Sequence, residues 1–337
     1  LAKILNVVSK NIYGANISNT IQIEAILAFI KPKQLAIKFV GFEQALDMSS
    51  DADLIIHNFN DLNTLPENFW QRYLKIAKKP IIVFPTELSD KKTMSEHFSN
   101  NMISKIIVAS DCYQKVFTKT LKINADKIKL VTLGSAKLPD KTINKKPRKL
   151  ILTPALLNPE KDFNTLLETI EKLVTYYPNL SYTLLLRTHP RYTNEQNDAT
   201  INNLYKQIDF YHLNDIINVI IDSDYNYQDY LRVADLILLP PHKNKNKMYS
   251  GVIMDAIMAH KPIVAPTQPH AYDLCKNDIG IFLYQPDKPQ TILECCSIIL
   301  DRTDITDILE QQNIIASQNF EYNKITSQFM NIIRKII

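Results

Sequence analysis

Three groups of residues in this chain are of the right type and spacing to hold an anion. The first is a helix start. Ala234-Asp-Leu-Ile-Leu-Leu239 is a short apolar run, the pattern of a strand buried on both faces, and Pro240-Pro241 stop it. Ser250 and Gly251 then open a helix whose apolar side is Val252, Ile253, Ala256, Ile257 and Ala259. Serine is a good N-cap, glycine lets a bound group come close, and the bare amides of a helix start favour phosphate. The second group is Lys161, behind the turn Asn158-Pro-Glu-Lys161, where a cation can reach a pyrophosphate. The third is Arg187-Thr-His189-Pro190-Arg191, at the end of an apolar run, where guanidinium groups can bind phosphate through paired hydrogen bonds. For proton transfer the candidate is His57, which ends the run Asp53-Leu-Ile-Ile-His57 and titrates near neutrality; Asp61 and Glu87 are weaker candidates. Each has a plain alternative: a solvated lysine, an ordinary helix cap, a structural histidine, an incidentally basic loop. The loop lysines Lys243, Lys245 and Lys247 read first as a solvated loop.

These residues are positioned by alternating strand and helix patterns. Strands are predicted at 4–8, 35–40, 53–57, 80–84, 104–109 and 128–131, with helices at 18–30, 69–77 (carrying the only tryptophan, Trp70) and 110–121. Thr142 to Lys149 is polar, charged and interrupted by proline, the composition of a boundary. The alternation then restarts, with strands at 150–153, 182–186, 216–221 and 234–239 and helical patterns at 163–177, 203–210 and 227–233. After the helix opened by Gly251, Lys261-Pro262 breaks and Ile263-Val264 begins a strand, so residues 234–264 form a βαβ unit. Closing helices are predicted at 291–300 and 325–336. Such alternation predicts parallel α/β sheets in two doubly wound, Rossmann-like domains.

Bulk composition narrows the class. Of 337 residues, 45% are hydrophobic and 22% charged, as in an ordinary globular protein. A net charge of +4 from 39 basic and 35 acidic residues is too balanced to argue for nucleic acid, though it allows visits to an anionic membrane surface. Four cysteines without metal spacing predict reduced thiols in the cytoplasm. No run approaches the roughly 18 apolar residues of a membrane span. The histidines lack paired spacing with carboxylates, so no metal site is expected. A Walker loop and a Gly-x-Gly-x-x-Gly are both absent, which argues against an NTPase or a dinucleotide dehydrogenase. Only five glycines occur.

Four segments carry a family resemblance. They are Lys105–Ser110 through Lys127–Gly134, Leu150–Leu167 with Pro159-Glu160-Lys161, Tyr227–Gly280, and Asn319-Phe320-Glu321-Tyr322. In order and spacing they resemble the GT-B glycosyltransferases, most of all the bacterial glycosyl transferases group 1, or family 4-like class. The resemblance covers residues 103–330 well and 1–102 loosely. It implies an acceptor-side domain at 1–143, a nucleotide-donor domain at 150–318 facing it across a cleft, and a closing helix at 319–337 packing back toward the N-terminal domain.

Departures from the family pattern are specific. Its Gly-Arg pair falls on Ala155-Leu156, its Glu-x7-Glu signature on Lys247 and Asp255, and the glycine after its signature helix on His260. The Arg187-Thr-His189-Pro190 turn, with Tyr249-Ser250-Gly251 and Asp255, is similar instead to the polyol-phosphate transferases of the teichoic-acid and capsule type. The resemblance implies that Lys161, Arg187, His189, Ser250, Gly251 and Asp255 bind the donor, with Asp255 on ribose hydroxyls and His57 as catalytic base. It implies metal-independent sugar transfer, without a cofactor, from a nucleotide-activated donor to a hydroxyl of a glycan or lipid-linked glycan in cell-surface polysaccharide synthesis, in the cytoplasm or at the inner face of the membrane. Two alternatives stay open: transfer of a polyol phosphate from a CDP-linked donor, and a non-catalytic partner module on the same scaffold.

Overall fold

The structure, a computed structural model, describes residues 2–7, 35–40, 53–59, 80–85, 94–95, 98–99, 101, 103–132, 134–135, 149–159, 161–188, 193–221, 227–242 and 250–336. The chain divides into two compact units. Unit 1 is Leu1–Gly134 with Asn246–Tyr249 and Phe320–Ile337; unit 2 is Ser135–Lys245 with Ser250–Asn319. The predicted helices at 18–30 and 69–77, most of the 142–149 boundary, and Lys243, Lys245 and Lys247 lie outside the described residues.

Unit 1 holds β1 (Ala2–Val7), β2 (Leu35–Val40), β3 (Leu54–Phe59), β4 (Ile81–Pro85), β5 (Ile103–Val108) and β6 (Ile128–Leu130). They form one sheet in the order β2-β1-β3-β4-β5-β6, every pair parallel. Leu54–Ile56 and Ile81–Val83 are fully buried, as strands covered on both faces must be. After β5, Ser110 caps α1 (Asp111–Lys115) by accepting the Tyr113 amide at 3.4 Å, and the helix continues as a wider turn over Val116–Thr120. Phe117 is buried there against Phe98, centroids 5.1 Å apart; each such ring contributes about 1.5–3 kcal/mol by leaving water.

Unit 2 holds β7 (Leu150–Leu156), β8 (Ser181–Arg187), β9 (Ile217–Ile221), β10 (Leu236–Leu238), β11 (Ile263–Pro266) and β12 (Ile281–Tyr284), ordered β12-β11-β10-β7-β8-β9 and again parallel. Its helices are α2 (Phe163–Tyr176), α3 (Asn194–Phe210), α4 (Tyr227–Val233), α5 (Gly251–Met258), α6 (Pro269–Cys275), α7 (Pro289–Asp301) and α8 (Thr303–Phe320). α2 buries Phe163, Leu166, Leu167, Ile170 and Leu173, the 3.6-residue stripe its sequence carries. The last helix, α9 (Tyr322–Arg334), belongs to unit 1, where Phe329 meets Phe84 with centroids 5.2 Å apart. Two doubly wound α/β sheets are therefore present, as the alternation predicts. No helix among the described residues is long and apolar enough to cross a membrane.

Some elements differ from expectation. α3 begins at Asn194, not 203, because Thr193 and Gln196 form a reciprocal capping box at 3.3 and 3.0 Å, a polar signal where an apolar stripe is missing. α8 was not foreseen: it buries only Leu309, Asn313, Ala316 and Ser317. Asn313 fixes it by accepting the Gly280 amide at 2.9 Å and donating to the Lys261 carbonyl at 2.7 Å. Gly280 permits this approach, since a Cβ there would lie 2.2 Å from the Leu309 carbonyl oxygen. β12 and α6 were likewise not foreseen.

Candidate functional site

In unit 2 the chain leaves β7 toward β8 and β9 on one side, and β10, β11 and β12 follow on the other. β7 and β10 therefore flank a topological switch point, where open α/β sheets leave a crevice beyond the carboxyl ends of the strands. The strands beneath are cross-linked. Tyr182 Oη donates to Thr153 Oγ1, which donates to the Leu238 carbonyl at 2.6 Å, and Tyr284 Oη reaches the Leu239 carbonyl at 2.7 Å. All three side chains are buried. Burial holds both tyrosine hydroxyls well above their ordinary pKa, so they remain donors.

The loops above are also tied together. The Asp162 amide donates to the Pro241 carbonyl at 3.0 Å, Lys161 forms an antiparallel bridge with His242, and the Leu157 amide donates to the Arg187 carbonyl at 2.6 Å. Asp162 caps α2, its Oδ1 accepting the Thr165 amide at 3.1 Å. Lys161 is thus held at the mouth of the switch point, half-buried, on the turn that precedes a helix. Arg187 is exposed at the last position of β8.

α5 starts where the sequence places it, with Ser250 at the cap position in extended backbone (φ −127, ψ 110). The expected serine cap is not made: Ser250 Oγ does not bond the helix amides. Instead the Ser250 amide donates to His270 Nδ1 at 3.3 Å, which fixes the entry of the chain into the helix. Burial pushes His270 down to about 3, so the ring is neutral and, with Nδ1 accepting, carries its proton on Nε2. The amides of Gly251 to Ile253 have no partner within the helix, as at any helix start.

One turn further, Asp255 is the centre of a polar cluster. Ser135 Oγ donates to its Oδ1 at 2.5 Å and Tyr227 Oη to its Oδ2 at 2.9 Å. Burial raises the Asp255 pKa, opposed by the Ser135 and Tyr227 hydrogen bonds and by the charge of Arg187. Burial, then the Asp255 charge and hydrogen bond, hold Tyr227 well above its ordinary value, so its hydroxyl stays a donor.

The structure thus brings Arg187 and Asp255 within electrostatic reach and puts Ser250, Gly251 and Asp255 on one helix, with Lys161 beside the neighbouring switch-point loops. His189, Arg191, Asp61 and Glu87 lie outside the described residues. His57 belongs to unit 1 and is not at its strand's end: β3 continues to Phe59, with His57 paired between Val7 and Val83. The strand runs on because Asn58 and Phe59 keep the register with β4. Ser135, Tyr227 and His270 carry no motif of their own; only the fold shows them facing Asp255 and Ser250.

No family sequence profile matches the chain, and no curated protein sequence does. Solved structures do. HepE of Anabaena, in complex with UDP and glucose, superposes with a TM-score of 0.79 at 15% identity, over 99% of this chain and 100% of that one. A glycosyltransferase from Rickettsia africae gives 0.78 at 14% identity over 99% and 98%. Sucrose-phosphate synthase from Thermosynechococcus elongatus gives 0.78 at 11% identity over 99% of both chains. With its two doubly wound sheets and this likeness along nearly its whole length, the chain has the GT-B fold.

Proposed function

We propose that this protein is a glycosyltransferase that moves a sugar from a nucleoside-diphosphate donor to a hydroxyl of a glycan or lipid-linked glycan. The observation that carries the reading is the polar cluster at the unit 2 switch point: Arg187 within electrostatic reach of Asp255, which lies one turn inside α5, and Lys161 on the switch-point loop bridged to His242. The donor's diphosphate lies over the α5 amides, and Arg187 and Lys161 neutralise it. Arg187 takes over the charge that the family pattern's arginine, here Leu156, would supply. Each Asp255 oxygen accepts one protein hydrogen bond and keeps a further lone pair for a ribose hydroxyl. HepE has been seen with UDP-glucose, which supports a nucleotide sugar as the donor here.

In the transfer, the bond from the sugar's anomeric carbon to the diphosphate breaks with its electron pair on the phosphate oxygen. The acceptor oxygen bonds that carbon, and its proton passes to a base, for which His57 is the proposed residue. Charge growing on the departing diphosphate meets cations and amides already in place, without a metal ion. Such fixed donors lower a barrier by about 3–4 kcal/mol each.

The test is release of nucleotide from UDP-, GDP- and CDP-linked sugars and from CDP-glycerol. Turnover of one sugar donor is expected. Turnover of CDP-glycerol alone establishes the polyol-phosphate alternative, and no turnover or binding of any donor establishes a non-catalytic scaffold.

A further inference from the structure

Apart from the switch point, unit 2 holds a groove between the end of α2 and the length of α7. Its α7 side is written in the sequence. Gln290, Glu294, Ser297 and Asp301 recur at i, i+4, i+7 and i+11, so they stand in a row along one side of that helix. The other side buries Ile292, Cys296 and Ile299 in the unit 2 core. At the helical rise the row is about 16 Å long. Facing it are Tyr176, the last residue of α2, and Tyr177 at the C-cap. The groove holds 490 Å³, within the range of about 300–1,000 Å³ of small-ligand clefts. Lys161, Arg187, Ser250 and Asp255 do not line it, so it is separate from the donor cluster.

The two tyrosines play different parts. Tyr177 packs against the core, and its hydroxyl donates to the Asp301 carboxylate and accepts from Ser297. Burial is the main cause that raises its pKa above the ordinary value, so the hydroxyl remains a donor. Asp301 is thereby tied to α2 and keeps lone pairs for a further donor. Tyr176 is 69% exposed, a whole ring left open to water at the edge of a groove that carries two carboxylates.

The lining identifies the class of ligand. Among the described residues that line the groove there is no lysine, arginine or histidine, so Glu294 and Asp301 repel phosphates and acidic sugars. An organic cation would use the carboxylates and the rings, but would leave the Gln290 amide protons and the Tyr176 hydroxyl proton without an acceptor. A neutral polyol uses every group. Its hydroxyls donate to Glu294 and Asp301 in charge-assisted bonds and accept from Gln290. The slightly positive C–H face of a sugar ring packs on the electron-rich face of Tyr176. We infer that this groove binds a neutral glycan chain, as a saccharide site apart from the transfer reaction.

The test is a saturation-transfer NMR titration of the full chain, without nucleotide, using neutral oligomers of glucose, galactose and N-acetylglucosamine. Saturable binding of at least one oligomer is expected. Tyr176→Ala and Asp301→Asn should each weaken it by about 10-fold, with the melting temperature unchanged, since both side chains are exposed. The readout needs neither a donor nor turnover, so it stands or falls separately from the transferase reading. Three results would each overturn the inference: no binding of any oligomer, wild-type affinity in either variant, or tighter binding of choline or spermidine than of every oligomer.

Discussion

The two sheets are built alike but carry their described polar side chains differently. In unit 1 one strand, β2, lies to the far side of β1 before the order reverses; in unit 2 two strands, β8 and β9, precede the reversal beside β7. Both plans leave a switch point at the carboxyl ends of the strands. In unit 2 that end collects Arg187, Asp255, Tyr227, Ser135, His270 and the start of α5. In unit 1 the described lysines Lys119, Lys122 and Lys127 lie between the end of α1 and the start of β6. A shared topology therefore fixes where a crevice can form, while the side chains decide what that crevice presents.

The sharpest way to break this contrast is to remove charge from each unit in turn. Arg187→Ala should lower kcat/KM for the nucleotide-sugar donor by about 100- to 1000-fold in a steady-state assay. Lys129→Gln should leave it within twofold or so, because that lysine belongs to β6 of unit 1 and not to the switch point of unit 2.

Next in size is the pH dependence of the unit 2 site. His270 is pushed down to about 3 from 6.5, so the unfolded chain binds the extra proton between those values. Stability should fall by about 1.4 kcal/mol per pH unit as pH drops from 6.5 toward about 3, and His270→Phe should remove that slope in urea melts. Asp255 has the opposite sign: its raised pKa makes the folded state bind a proton more tightly, so its contribution is present at low pH and lost as pH rises through the folded value. Asp255→Asn should flatten that component.

Smaller still is the seating of α8. Gly280→Ala should cost about 3 kcal/mol or more, since its Cβ would meet the Leu309 carbonyl and not a yielding side chain; Asn313→Ala should cost about 2 kcal/mol through the Gly280 amide it leaves unpaired. The smallest effect is expected at His212, which holds a left-handed backbone (φ 54) just past the end of α3. His212→Gly should gain about 1 kcal/mol and raise Tm by about 2–4 °C.

The sequence was most legible where apolar residues repeat. The strands of both sheets and the apolar face of α2 are written as runs or as a 3.6-residue stripe, and the βαβ unit around Ser250 follows from them. Elements held by polar contacts were not legible. α8 depends on one buried asparagine, and the first turns of α3 on a capping box. The scarcity of glycine also hid helix ends, because Lys122, His212, His260 and Asp278 take the left-handed conformation that glycine would advertise. His260 holds its left-handed backbone (φ 60) with Nε2 3.1 Å from Ser317 Oγ. Within the candidate site, Arg187, Ser250 and Gly251 could be found from their positions at element ends, and Asp255 from the family resemblance. Ser135 and Tyr227 could not, since they reach Asp255 from 120 and 28 residues away.

The central claim is that the switch point of unit 2 grips a nucleoside diphosphate. Isothermal titration of the full chain with UDP, GDP and CDP, repeated on Arg187→Ala and Asp255→Asn, tests it without needing the acceptor. The account predicts saturable binding of one nucleotide that weakens by about 10-fold or more in each variant. Wild-type affinity retained in both variants, or no binding of any of the three, would contradict it.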